Sequence, residues 1–248
     1  MSDGGIDHLR RLTPARVALG RSGASLLTRV HLDFQLDHAR ARDAVHQRLD
    51  VAALGAAFRD ADFQWIGVHS AAPDRLTYLK RPDLGRRLDA ESRELLKRSS
   101  AAQLVADVVF VVADGLSARA AQCHAVPLLR EIMPRLTAER WRPAPVVIAE
   151  QGRVALGDEI GSLLDARLVV ILIGERPGLS SPDSLGAYLT WKPQPGRTDA
   201  ERNCISNIRP GGLSYGTAAA KLHYLMGEAR RRRLSGVTLK EETGALGP

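Results

Sequence analysis

From about residue 103 onward, apolar runs short enough for strands alternate with longer helical stretches, and this alternation restricts the chain more than any other feature. Such spacing predicts βαβ units and a parallel sheet covered on both faces by helices. Val105 to Ala113 reads as a first strand and Ser117 to Leu136 as the helix after it. Val146 to Ala149 gives a second strand, Val154 to Ala166 a helix, and Leu168 to Gly174 a third strand. A fourth extended segment, Ala187 to Lys192, leads through a long loop to a final helix from about Thr217 to Arg233. The tail from Leu234 to Pro248 is expected to fray.

The first hundred residues differ, being rich in Arg, Asp, Ala and His with no strong strand. Thr13-Pro14-Ala15 resembles a helix start, so Pro14 to about Leu19 is expected as a short helix. Apolar spacing suggests further helices near 34–49 and over Gly85 to Lys97. The division is therefore a mainly helical section over residues 1–100 and an α/β domain over 101–248. Neither part contains an internal repeat or a low-complexity tract.

Composition narrows the classes. Hydrophobic residues at 44% and charged residues at 25% suit a folded globular chain and argue against disorder. The formal net charge of +7 could serve an anionic ligand, nucleic acid or an acidic partner surface, without choosing among them. Aromatics are only 4%, and no helix-turn-helix or zinc-finger spacing occurs, which disfavours nucleic acid. The opening residues lack a basic n-region and an apolar h-region, and the longest apolar run, Leu168 to Ile173, is too short to cross a bilayer. A cytoplasmic, unsecreted protein without a membrane span is expected, and two cysteines, Cys123 and Cys204, fit a reducing compartment.

Ligands of open parallel sheets bind at the carboxyl ends of strands. The segments that follow the expected strands are Asp114-Gly115-Leu116-Ser117, Glu150-Gln151-Gly152-Arg153-Val154, Gly174-Glu175-Arg176-Pro177-Gly178, and the long loop Asn203-Cys204-Ile205-Ser206-Asn207-Ile208-Arg209-Pro210-Gly211-Gly212. Each combines glycine with a hydrogen-bonding side chain. Taken singly they are ordinary turns and caps; taken together on one edge they could line a pocket. The Gly-x-Gly-x-x-Gly and phosphate-loop motifs are absent, and the seven histidines show no metal-ligand spacing, so no metal site is expected. His31 and His38 could share a helix face. Cys204 fits a buried small residue, a reactive thiol or a ligand contact, and its neighbours Asn203, Ser206 and Asn207 favour a polar pocket wall. Arg230 to Arg233 closes the last helix, where cations complement the helix dipole, with a docking patch as the other reading.

Several of these segments together resemble the small (light) subunit of ethanolamine ammonia-lyase. The similarity is carried by Gly174-Glu175-Arg176-Pro177-Gly178-Leu179, Asp183-Ser184-Leu185, and Arg202-Asn203-Cys204-Ile205-Ser206-Asn207-Ile208 with Gly211-Gly212. Ala15-Arg16-Val17 with Gly20-Arg21-Ser22-Gly23, Tyr78-Leu79, Arg81 through Leu88, and Gly152-Arg153-Val154 with Asp158-Glu159-Ile160-Gly161 agree in order. The match spans roughly residues 12–236.

The resemblance implies an α/β fold, a Rossmann-like parallel sheet with flanking helices preceded by a mainly helical N-terminal section. It implies a subunit of an adenosylcobalamin-dependent lyase that converts ethanolamine to acetaldehyde and ammonia, inactive without a large barrel-forming subunit that carries most catalytic groups. Val154, Glu175 and Cys204 correspond to the family's cobalamin contacts, and Arg153 is a further candidate; no catalytic residue is assigned to this chain. The coenzyme is expected base-on, since the Asp-x-His-x-x-Gly motif is absent. The N-terminal section is expected to contact the large subunit. Members that enter bacterial microcompartments often carry a longer extension ahead of the Leu-Thr-Pro-Ala-Arg-like stretch, so placement in a microcompartment is left open beside the cytoplasm. The rival readings are a free-standing Rossmann-type enzyme using a nucleotide cofactor and a scaffold subunit that does not touch the cofactor.

Overall fold

A computed structural model describes residues 21–22, 25–100 and 105–239. A six-stranded sheet organises the chain, in the order β3-β5-β4-β6-β7-β8. Its strands are β3 (Trp65–His69), β4 (Val109–Ala113), β5 (Val146–Glu150), β6 (Leu168–Gly174), β7 (Leu185–Trp191) and β8 (Arg202–Ile208), while β1 (Arg21–Ser22) and β2 (Ser25–Leu26) form a separate antiparallel pair. Strands β3, β5, β4 and β6 run parallel, as expected for β4, β5 and β6; β7 and β8 pair antiparallel at one edge.

The centre of the sheet follows from side-chain alternation. Val108, Phe110, Val112, Leu168, Val170 and Leu172 pack to one face with residues of α2 (Val51–Asp60), α5 (Ala118–Ala138) and α7 (Tyr215–Arg232). Val109, Val111, Val169 and Ile171 pack to the other, with residues of α4 (Ala90–Ser100) and α6 (Leu156–Leu163). Both faces are buried, so these strands read as unbroken apolar runs, each large side chain contributing about 1.5–3 kcal/mol of burial.

Two expectations are corrected. The first hundred residues do contain a strand, β3, paired with β5 from Trp65↔Val146 to His69↔Glu150. It lies at an edge, holds Gly67 and is mostly half-buried, so it lacks the apolar signature of β4. The segment expected as a long loop around Asn203 is instead β8, whose exposed polar residues reflect an edge position. A register shift opposite Leu185 and Ala187 spaces its buried residues Ile205 and Ile208 by three rather than two, which hides the strand period.

The remaining boundaries move by a few residues. Helix α1 (Thr28–His46) begins before the expected 34, α4 follows a short 3-10 turn at Leu84–Arg86, and α6 is shorter than the expected 154–166. A further short helix, α3 (Arg75–Lys80), precedes that turn. The expected helix at 14–19 lies outside the described residues. The tail is pinned as far as Leu239: Ser235 donates to Glu201 O, the Trp191 amide donates to Ser235 Oγ, and Asn203 bonds Gly236 and Leu239. Among the described residues no helix is long and apolar enough to cross a membrane, and no group of His, Cys, Asp and Glu could hold a metal ion.

Candidate functional site at the carboxyl rim of the sheet

The turns after β4, β5 and β6 meet in an open cleft of about 440 Å³, lined by Tyr78, Gly115, Leu116, Arg153, Val154, Ile173, Glu175, Arg176 and Tyr188 among others. Its floor depends on glycine. Gly115 has φ +53°, and a Cβ there would strike the Gly174 carbonyl; a Cβ on Gly174 would strike the carbonyls of Ser117 and Asp114. Because neither residue has a side chain, the ends of β4 and β6 touch, and the Leu116 amide donates to Gly174 O at 2.9 Å. Ser117 then caps α5 and donates to Pro182 O.

Arg153, Val154 and Glu175, expected on separate loops, line this one cleft. Val154 supplies an apolar wall beside Leu116 and Ile173. Glu175 is held by its own chain. Its carboxylate accepts from the hydroxyls of Ser184 and Ser206 and from the Asn207 amide at 3.1 Å. A carboxylate has about four lone-pair positions, so about one acceptor site is left for a ligand.

Cys204 stands opposite Tyr188 on the edge strand. Cys204 is exposed as a residue, yet desolvation of its sulfur pushes the thiol pKa up and the nearby Glu175 adds to that, so it is not a poised thiolate. Cys204 itself does not line the cleft; its strand partner Tyr188 does. Its neighbours divide by strand geometry. Ser206 and Asn207 face Glu175, whereas Asn203 points to the Gly236 and Leu239 backbone and forms no pocket wall.

Sequence reasoning missed the support behind Arg153. Tyr78 of α3 is fully buried; its hydroxyl donates to Gly152 O, and the Arg153 and Arg75 guanidiniums lie 4.2 and 4.8 Å from its ring centroid. The Arg153 amide also donates to Gly85 O at 2.8 Å, and its Nε is buried without a partner. Below this stack Arg75 donates to Asp114, Gln151 and Val45 O, and Asp114 accepts from the Gly152 amide. Burial pushes the Asp114 carboxyl up to about 6, against the opposing pull of Arg75. No local pattern announces these contacts, because Tyr78 and Arg153 are 75 residues apart.

Other candidates have structural partners. His31 and His38 share α1, where His31 contacts Gln35 and His38 lies near Phe34. Arg230 covers Trp141, while Arg231 and Arg232 bond Glu228. A larger hollow of about 670 Å³ near Arg59, Trp65 and Pro145 lies beside the start of β3, away from the glycine turns.

The rim cleft is amphipathic: one apolar wall, two aromatic rings, two guanidiniums, one carboxylate and exposed backbone. It suits the edge of a large ligand with polar groups along it. It is too small and open to enclose one alone, so a second surface is needed.

Comparison with known proteins gives concordant matches. The family model described as ethanolamine ammonia-lyase light chain matches residues 3–240. An ethanolamine ammonia-lyase small subunit of Azotobacter vinelandii is 61% identical over 236 residues, which is 95% of this chain and 87% of the relative. The proteins of that name from Pseudomonas paraeruginosa and Pseudomonas fluorescens are 60% and 59% identical, covering 94% and 95% of this chain and 86% of each relative.

Proposed function

The chain belongs to the ethanolamine ammonia-lyase light-chain family, and from that premise we propose that it binds one side of adenosylcobalamin at its interface with a large catalytic subunit. The observation that carries this reading is the convergence of Arg153, Val154 and Glu175 on one open cleft, with Cys204 on the next strand opposite Tyr188, a lining residue. Corrin carries many peripheral amides, which need donors and acceptors once buried. The donor set fits: Arg153 Nε has no partner, Glu175 keeps one free acceptor position, and Val154, Leu116 and Ile173 supply apolar contact.

When bound, adenosylcobalamin supplies the organic radical that starts the conversion of ethanolamine to acetaldehyde and ammonia. This chain's residues bind and orient. Arg153 would donate to an oxygen of the coenzyme, Glu175 would accept from an amide nitrogen or a ribose hydroxyl, and Val154 would pack against the ring edge. The 1–100 section meets the large subunit and lends Tyr78 to the cleft, the 101–248 section supplies the residues that hold the coenzyme, and the complex works in the cytoplasm.

The test is coenzyme affinity of the two-subunit complex, with visible absorbance as readout and cyanocobalamin as probe. Val154→Trp fills the cleft and is expected to weaken binding by about tenfold or more, about 1.4 kcal/mol. An unchanged dissociation constant favours the scaffold reading. Turnover by this chain alone with a nicotinamide or nucleotide cofactor favours the free-standing enzyme.

A further inference from the structure

We infer that Arg153 and Arg176 together receive one negative charge, the phosphodiester of the cobalamin nucleotide loop, so that the cleft holds the nucleotide end of the coenzyme as well as corrin amides. This rests on the cofactor reading above and adds to it a ligand charge and an orientation. The support is charge accounting at the cleft. Its lining holds two cationic side chains, Arg153 and Arg176, and one acidic side chain, Glu175. Three donors of the same chain occupy the Glu175 carboxylate. Behind the wall Arg75 is matched by Asp114 at 3.2 Å.

The two lining arginines have no such match. Arg153 contacts an aromatic face and, at 3.4 Å, the Tyr78 carbonyl, and its Nε is buried without an acceptor. Arg176 is exposed and makes no hydrogen bond or ion pair with any described residue. A partly desolvated guanidinium is poorly answered by a neutral amide oxygen and well answered by an anion, which it can meet with two parallel N–H donors. Corrin amides and the adenosyl group are neutral, and the nucleotide loop carries the single phosphodiester of the coenzyme. The acceptor the site lacks is therefore the one anionic group this ligand has.

The experiment compares cyanocobalamin with dicyanocobinamide, which keeps the corrin amides and lacks the nucleotide loop, both titrated into the two-subunit complex. The wild-type complex is expected to bind cyanocobalamin more tightly. Arg176→Gln and Arg153→Gln are each expected to weaken cyanocobalamin about tenfold while moving cobinamide by less than about twofold. Arg176 is exposed, so its variant folds even if the Arg153 variant does not. Equal weakening of both ligands overturns the inference and leaves the cofactor reading intact. Weakened association of the two subunits with no selective effect on cyanocobalamin also overturns it, because an acidic group of the partner would then be the anion. Failure of the wild-type complex to bind either ligand overturns the cofactor reading itself.

Discussion

The guanidinium of Arg153 lies 4.2 Å from the ring centroid of Tyr78, and its amide donates to Gly85 O at 2.8 Å, so a site residue on the β5 turn is aimed by the α3 segment. Tyr78 is fully buried and its hydroxyl donates to Gly152 O. Tyr78→Phe keeps the ring and is expected to cost about 1 kcal/mol of stability with cobalamin affinity nearly unchanged. Tyr78→Leu removes the platform and is expected to weaken cobalamin binding about tenfold. Combined with Arg153→Gln it should add little further loss, because the two changes break one unit. Additive losses would mean that Tyr78 acts independently of Arg153.

Asp114 gives the wall a pH dependence whose sign follows from its raised pKa, about 6 against an ordinary 3.8, with burial as the main cause. Between those values the folded chain holds a proton that the unfolded chain has lost. This group's contribution to stability is therefore largest at low pH and falls as pH rises through about 6, by about 3 kcal/mol. Asp114→Asn removes the titration. The stability of the wild type relative to this variant should be greater at pH 5 than at pH 7.5 in thermal unfolding. A difference that is constant, or grows with pH, would mean that Arg75 keeps the carboxylate ionised throughout.

Gly174 and Gly178 flank the Glu175 turn and differ in what surrounds them. A Cβ on Gly174 would collide with backbone carbonyls, which cannot rotate away, while one on Gly178 meets only ordinary contacts at 3.7 Å and beyond. Gly174→Ala is expected to cost about 3 kcal/mol or more by forcing β4 and β6 apart at the cleft floor, and Gly178→Ala to be tolerated. Comparable thermal midpoints for the two variants would show that the strand ends are looser than their spacing implies.

What the sequence disclosed and what it concealed divide by burial and range. β4 and β6 were legible because both faces are covered and every residue of each strand is buried. The carboxyl ends of β5 and β6 set Arg153 with Val154 and Glu175 on one rim. β8 escaped because its outward residues Cys204, Ser206 and Asn207 are polar and its bulge breaks the period of two. β3 escaped for want of buried apolar residues, only Val68 being fully covered. The Arg75–Tyr78–Arg153 stack joins residues about as far apart as a small domain is long, and no window along the chain contains it. The resemblance named Cys204; the pairing of β7 with β8 sets it opposite Tyr188, which lines the cleft.

Helix α1 is the element through which the proposed contact with a large subunit can be tested. Its C-terminal part is anchored, with Ala44 buried and Val45 O accepting from Arg75, the same side chain that pairs with Asp114 below the cleft. Its N-terminal half is exposed, with Leu32 at 57% and Leu36 at 50%, and Leu26 and Leu27 just before it are also open. Leucines four apart share a helix face, and such a face in water is costly unless something covers it. The anchor ties this helix to the rim on which the cleft opens, so a partner that closes the cleft can also cover α1. Leu32→Glu with Leu36→Glu is expected to leave the thermal midpoint of this chain unchanged, since neither side chain is buried. The same pair should weaken assembly with the large subunit about tenfold or more, as loss of interface leucines does when they are covered. Sedimentation of the mixed subunits reads the assembly. Unimpaired assembly would place the large subunit elsewhere, and a lowered midpoint would mean that α1 packs on its own chain.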